Sequence, residues 1–171
     1  MKLTTFQSKG YQVLNGLYTP SQILKVTRLL EDLDLGQGFG IRKILRLYPD
    51  LMKLVITPQL ISLIRRIQPK AQVIRSIYFN KPPQANWIVN WHQDLTINLQ
   101  RKRTYPGFKN WRVLKDRVVT QPPIHVLEKM FTLRVHLDDC NEQNGALRVI
   151  PGSHQEGIID VRDGLGQGRA K

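Results

Sequence analysis

The chain has one cysteine, Cys140, in 171 residues. A lone thiol excludes an internal disulfide framework and any zinc site built on several cysteines, so metal binding would fall to histidine and carboxylate. No apolar run approaches the roughly 20 residues that cross a bilayer. The opening MKLTTFQSKG also has no apolar core of the signal-peptide kind. A soluble, cytoplasmic protein without a membrane span is the expectation. No internal repeat is present, and the composition is neither that of a disordered segment nor that of a coiled coil. One domain is the default, because a chain of this length buries roughly two-thirds of its unfolded surface.

Acidic residues are also scarce, with 13 Asp and Glu against 26 Lys and Arg, for a net charge of +13. The excess is local. Residues 40–81 carry nine basic residues against Asp50, and residues 100–117 carry seven against Asp116, whereas from Val118 onward six basic residues meet seven acidic ones. A basic face recruits nucleic acid, an anionic membrane or a phosphorylated or carboxylated small molecule, or it is simply a solvated surface.

Two Thr-Pro steps announce helices. Thr19 reads as an N-cap with Pro20 at the first helical position and Gln22 three after the cap, following a short strand in GYQVLNGLYT. Ile23, Thr27, Leu30 and Leu33 carry the helical spacing, which Gly36, Gly38 and Gly40 end. Thr57 and Pro58 repeat the device, with Leu60, Ile61, Ile64 and Ile67 as the buried stripe and Pro69 as the stop.

After Pro69 the period falls to two. AQVIRSIYFN, ANWIVNW, MFTLRVHLDD and GALRVIPGSH read as four short strands, with Pro82-Pro83 turning the chain after the first. Residues 95–123 read as one long polar connection, and the closing DGLGQGRAK as a frayed tail. Two helices followed by short strands predict an α+β fold with a β sandwich or barrel in its second part.

NWHQDLTIN sets His92 and Asp94 two apart. In an extended chain, residues i and i+2 project to the same side, so both side chains reach one point above the sheet. Imidazole plus carboxylate suits a divalent ion such as non-haem Fe(II), whose sites use two histidines and one carboxylate. Two polar residues where a strand meets solvent give the same spacing.

WIVNWHQD, followed some forty residues later by TLRVHLDDCNEQNGALRVIPGSHQEG, resembles the phytanoyl-CoA dioxygenase family of Fe(II)- and 2-oxoglutarate-dependent oxygenases, over about residues 70–158. The resemblance implies a double-stranded β-helix, a cupin-like jelly roll, with N-terminal helices packed on it: residues 1–69 helical, 70–160 jelly-roll strands, 161–171 tail. It makes His92 and Asp94 iron ligands, with Trp91 and Gln93 as their neighbours. Arg134 would face the 2-oxoglutarate pocket; the alternative is a solvent-facing or ion-paired arginine. His154 of the Pro-Gly-Ser-His turn would be a loop histidine, His125 and His136 locally bonded, and Cys140 an incidental thiol. Gly145, after Asn144, would permit a positive φ in a tight turn.

The implied reaction is hydroxylation of a small organic substrate, lipid-like or anionic, with O2, Fe(II) and 2-oxoglutarate. The family's third ligand is a histidine several tens of residues past the Pro-Gly-Ser-His turn, followed by an arginine that anchors 2-oxoglutarate. Only 17 residues follow His154, and none is a histidine. The expectation is a single, incomplete domain lacking the last barrel strands, weakly active or inactive. The basic connection, with Tyr105, Phe108 and Trp111 among its cations, would be a lid or substrate-recognition loop. A different class of protein, a non-catalytic basic module binding nucleic acid or a partner, would show the same interleaving of aromatic and basic residues.

Overall fold

The computed structural model describes residues 3–33, 40–80 and 90–159. The strand read from ANWIVNW, the Pro82-Pro83 turn, Gly36, Gly38 and the 161–171 tail fall outside them, apart from Asn90 and Trp91. The described residues form two compact units. A helical unit is drawn from Leu14–Trp87 and Arg134–Ala146, and a sheet unit from Met1–Val13, Ile88–Leu133 and Leu147–Lys171.

In the sheet unit, α1 is Thr4–Lys9. In the helical unit, α2 (Pro20–Asp32) begins as its sequence dictates. The Thr19 hydroxyl accepts from the Gln22 N–H at 3.2 Å and the Gln22 side chain accepts from the Thr19 N–H at 2.8 Å, so the capping box is complete. Strand β1 (Gly40–Arg42), α3 (Ile44–Leu47), α4 (Pro49–Val55), α5 (Pro58–Ile67) and β2 (Ile77–Phe79) follow. Thr57 caps α5 by accepting from the Leu60 N–H at 3.2 Å. Strands β1 and β2 pair antiparallel, Ile41 opposite Tyr78. Ser76 ties them to α3, its carbonyl accepting from the Lys43 N–H at 2.8 Å and its hydroxyl from the Leu45 N–H at 3.2 Å.

The core of this unit is Val26, Leu30, Ile44 and Leu51, with Leu54, Tyr78 and Leu137 against it. On α2 the buried positions are Val26 and Leu30, four apart, rather than Ile23 and Thr27. On α5 they are Leu60 and Leu63, with Ile61, Ile64 and Ile67 half-buried, so each apolar face is rotated slightly from the one read off the sequence.

The sheet unit continues with β3 (Ile97–Leu99), β4 (Lys109–Leu114), β5 (Arg117–Gln121) and α6 (Ile124–Leu127). The three strands form an antiparallel sheet in the order β3-β5-β4. Central β5 is its buried element, with Val118, Val119, Thr120 and Gln121 all buried. A bulge lets Asn110 and Trp111 oppose Thr120 alone: Lys109 pairs with Gln121 and Arg112 with Val119. Asn110 takes the left-handed φ of 55° that the bulge requires. Its side chain donates to Gln121 at 2.7 Å, while the buried Thr120 hydroxyl donates to the Lys109 carbonyl at 2.9 Å. Both buried polar side chains of β5 are thereby satisfied.

The α+β class is what the structure shows, but the strands lie elsewhere than the sequence predicts. Residues 95–123, read as a connection, hold the three-stranded sheet; their charge, spread over 101–103, the exposed edge strand β4 and the turn after it, masked the β-branched run Val118-Val119-Thr120. The strand expected over 71–80 is reduced to Ile77–Phe79, and residues 11–14 are irregular. Residues 134–138 keep the alternation, Val135 and Leu137 half-buried against exposed Arg134, His136 and Asp138, but Leu133 is itself exposed; 131–138 have no ladder, nor do 145–150. Alternation reports faces, whereas a strand also needs a hydrogen-bonded neighbour, and these segments have none among the described residues. The sheets described, of two and three strands, do not make up a jelly roll.

Two tests follow from the helical unit. Leu60 is 0% exposed, so Leu60→Ala should lower unfolding free energy by about 2–5 kcal/mol in urea titration, against about 1 kcal/mol for the cap variant Thr57→Ala. Tyr18 donates its hydroxyl to the Val55 carbonyl at 2.7 Å, and burial pushes its pKa above the ordinary 10.0. Because the folded pKa is the higher one, this contribution is intact below about pH 10 and is lost as pH rises through the raised value. Tyr18→Phe should therefore flatten the alkaline fall in the urea midpoint; an unchanged slope would assign it to Tyr78, raised by burial and by the Asp138 and Glu31 carboxylates.

Candidate metal centre

The segment 90–96 is extended and leads directly into β3. Along it Trp91 and Gln93 are half-buried while His92 and Asp94 are exposed, so the two expected donors share the solvent side. His92 has its Nδ1 2.8 Å from the Asn90 carbonyl oxygen. A carbonyl only accepts, so Nδ1 carries the proton and Nε2 keeps the lone pair. This is the arrangement in which a metal-binding imidazole has its outer nitrogen held by a backbone acceptor and its inner one directed at the ion.

The inward residues fix the segment in place. Gln93 Nε2 donates to the Gly157 carbonyl at 2.8 Å and Gln93 Oε1 accepts from the Ile159 N–H at 2.8 Å, so one carboxamide engages a backbone acceptor and a backbone donor of the neighbouring 157–159 segment. Beside it, the Arg148 guanidinium lies 5.1 Å from the centre of the Trp91 ring. The segment bearing His92 and Asp94 is thus bound on its inner side to the residues flanking the Pro-Gly-Ser-His turn, although some 55 to 66 positions separate them in sequence.

His154 is committed elsewhere. Its Nε2 lies 3.0 Å from the Gln7 carbonyl oxygen, and the Gly152 N–H donates to the Lys9 carbonyl at 2.9 Å, so the turn docks on the C-terminal end of α1. Gly10 ends that helix with a left-handed φ of 79°, and the His154 ring fills the space a Cβ there would need. His125 is exposed on α6.

The remaining residues belong to the helical unit. Arg134 and His136 are exposed on its extended segment, and Cys140 is an exposed thiol. Asn141 and Asn144 cap a 3-10 turn, Glu142–Asn144, reciprocally, and Gly145 closes it with a φ of 83°. The positive φ expected at Gly145 is present, ending a short helix rather than a hairpin.

As a donor set, one imidazole Nε2 and one carboxylate on a common side fit two positions of a borderline divalent ion. Among the described residues, no group of three His, Cys, Asp or Glu side chains comes together. The sequence pattern named Gln93 only as a neighbour of the expected donors and passed over its own role. Its signal was available: period two turns it inward between two outward residues, and an inward carboxamide has to find partners.

The model of the phytanoyl-CoA dioxygenase (PhyH) family matches residues 42–170. A protein of Stutzerimonas stutzeri named "Probable alpha-ketoglutarate-dependent hypophosphite dioxygenase" is 23% identical over 181 residues, covering 92% of this chain and 54% of that relative. The chain therefore spans about half the length of the curated relative it matches. No solved structure matches.

Gln93→Leu should test the clamp. It strands the Gly157 carbonyl and the Ile159 N–H, so stability should fall by about 1–3 kcal/mol and amide exchange at Ile159 should accelerate more than exchange in β5. Unchanged protection at Ile159 would show that the segment is held by other contacts.

Proposed function

This chain belongs to the phytanoyl-CoA dioxygenase family, and on that premise we propose that its 90–94 segment provides the first two protein ligands of an Fe(II)- and 2-oxoglutarate-dependent dioxygenase that hydroxylates a small-molecule substrate. The observation that carries this reading is the His92 tautomer, set by the Asn90 carbonyl, with Asp94 on the same solvent side.

In this reading His92 binds through Nε2 and Asp94 through a carboxylate oxygen. Fe(II), with 2-oxoglutarate and O2, supplies the oxidising power for C–H hydroxylation. The rest is positioning: Asn90 fixes the imidazole tautomer and ring orientation, and Gln93 and Trp91 hold the backbone so that both donors stay on one side. Arg134 enters on chemical grounds, because an exposed guanidinium matches the planar carboxylate of a 2-oxo acid. The printed name of the Stutzerimonas stutzeri relative, a hypophosphite dioxygenase, favours a small and anionic substrate for this chain as well.

The third ligand implied by the family pattern is a histidine beyond the Pro-Gly-Ser-His turn, and these 171 residues hold no histidine after His154. His92 and Asp94 would supply two of the three protein donors the family pattern implies, so these residues alone should hold iron weakly.

Anaerobic titration with Fe(II) and 2-oxoglutarate, followed by the visible metal-to-ligand charge-transfer absorption, tests the proposal. Expected are weak Fe(II) binding and at most a faint band, with His92→Ala or Asp94→Ala each reducing Fe(II) affinity by more than about tenfold. Fe(II) binding indifferent to both substitutions would contradict the ligand assignment, and a full-strength band would contradict the two-ligand account.

A further inference from the structure

The 100–117 segment, expected from the sequence to be a lid or substrate-recognition loop, is in the structure the exposed end of a sheet. Strands β4 and β5 are joined by the two-residue turn Lys115-Asp116, with Leu114 paired to Arg117. Beside the turn, Val113 is 70% exposed and Leu114 is 40% exposed, two aliphatic side chains presented to solvent at a hairpin tip. Strand β3 ends at the same edge of the sheet, since Leu99 pairs with Val118 and Val118 with Val113. Arg101, Lys102 and Arg103 therefore leave the sheet at the end that carries the tip, where Arg112, Lys115 and Arg117 already stand. The acid among residues 100–117 is Asp116, and it is bonded to Arg117 at 2.7 Å.

The geometry points to the β4–β5 hairpin tip as a docking surface for an anionic lipid bilayer, with Val113 and Leu114 entering the acyl boundary and the surrounding cations meeting the headgroups. Positive charge alone would suit any polyanion, but the apolar groups discriminate. A single-stranded nucleic acid requires ring faces free for base stacking. Here the rings pack against one another: Tyr105, 40% exposed, is tilted against Phe108 at 5.3 Å, and Phe108 stacks near Trp111 at 6.2 Å, with Phe108 and Trp111 half-buried. What the tip presents instead is branched aliphatic surface ringed by cations. Acyl chains and acidic headgroups complement that pair of chemistries, and nucleic acid complements only the second. Such a surface would bring the chain to a membrane from solution; no described helix is long and apolar enough to cross one.

Co-sedimentation of the 171-residue chain with vesicles tests this directly. The chain should pellet with vesicles of phosphatidylcholine containing phosphatidylglycerol, and not with phosphatidylcholine alone or without vesicles. Added salt should weaken the association. Replacing Arg101, Lys102 and Arg103 by alanine should reduce partitioning about fivefold per cation, on the order of a hundredfold together. Val113→Asp with Leu114→Asp should reduce it at least about tenfold. The milder pair Val113→Ser with Leu114→Ser, checked for native circular dichroism, guards against misfolding and should move in the same direction. Equal pelleting with neutral vesicles, pelleting without vesicles, or no pelleting at all would overturn the proposal. So would aspartate and serine variants that partition like the parent, or tighter binding to single-stranded oligothymidine than to the acidic vesicles.

Discussion

The carboxamide of Gln93 donates to the Gly157 carbonyl and accepts from the Ile159 N–H, and so does for this segment what a ladder does for a strand. The segment needs such a partner. Residues 90–96 belong to no described sheet, and three of their side chains, Asn90, His92 and Asp94, are exposed polar groups that contribute little burial. An extended chain without lateral hydrogen bonds pays full conformational entropy for its order. Here one side chain supplies both bonds, and Trp91 beneath the Arg148 guanidinium supplies the apolar anchor. His92 and Asp94 are the exposed members of the segment, while the half-buried Trp91 and Gln93 serve structure.

The division of labour extends to the histidines. His92 and His154 both bond to backbone carbonyls, yet with opposite consequences. In His92 the bond is made by Nδ1, which leaves Nε2 unengaged by that carbonyl. In His154 it is Nε2 that meets the Gln7 carbonyl, at the helix end where Gly10 leaves room for the ring. Residue type and exposure are shared by the two; the nitrogen that is engaged separates a candidate ligand from a helix-docking residue.

The features legible in the sequence are those fixed by local chemistry. Both Thr-Pro caps appear where the pattern set them, because a cap depends only on the three or four residues around it. Gly145 takes its positive φ for the same reason. The same-side placement of His92 and Asp94 follows from backbone geometry alone. What the sequence hid depends on partners distant along the chain. Alternation over 131–138 announced two faces but could not announce a neighbouring strand. The sheet formed by β3, β4 and β5 was concealed because β4 is an exposed edge whose cations read as loop, while the buried run of central β5, Val118 to Gln121, is only four residues long. The role of Gln93 was passed over because its partners lie 64 and 66 positions away.

The central claim is that a divalent ion is taken up at His92 and Asp94 on the outer side of the Gln93 clamp. Manganese(II) is the direct probe, since a paramagnetic ion broadens the NMR signals of nuclei near its binding site and its ligand preferences include carboxylate. Substoichiometric Mn(II) added to isotope-labelled chain should first erase the His92 imidazole and the Gln93 and Asp94 amide signals. Broadening that begins instead at the acidic stretch Asp138-Asp139 or at His154, with 92–94 unaffected, would contradict the account.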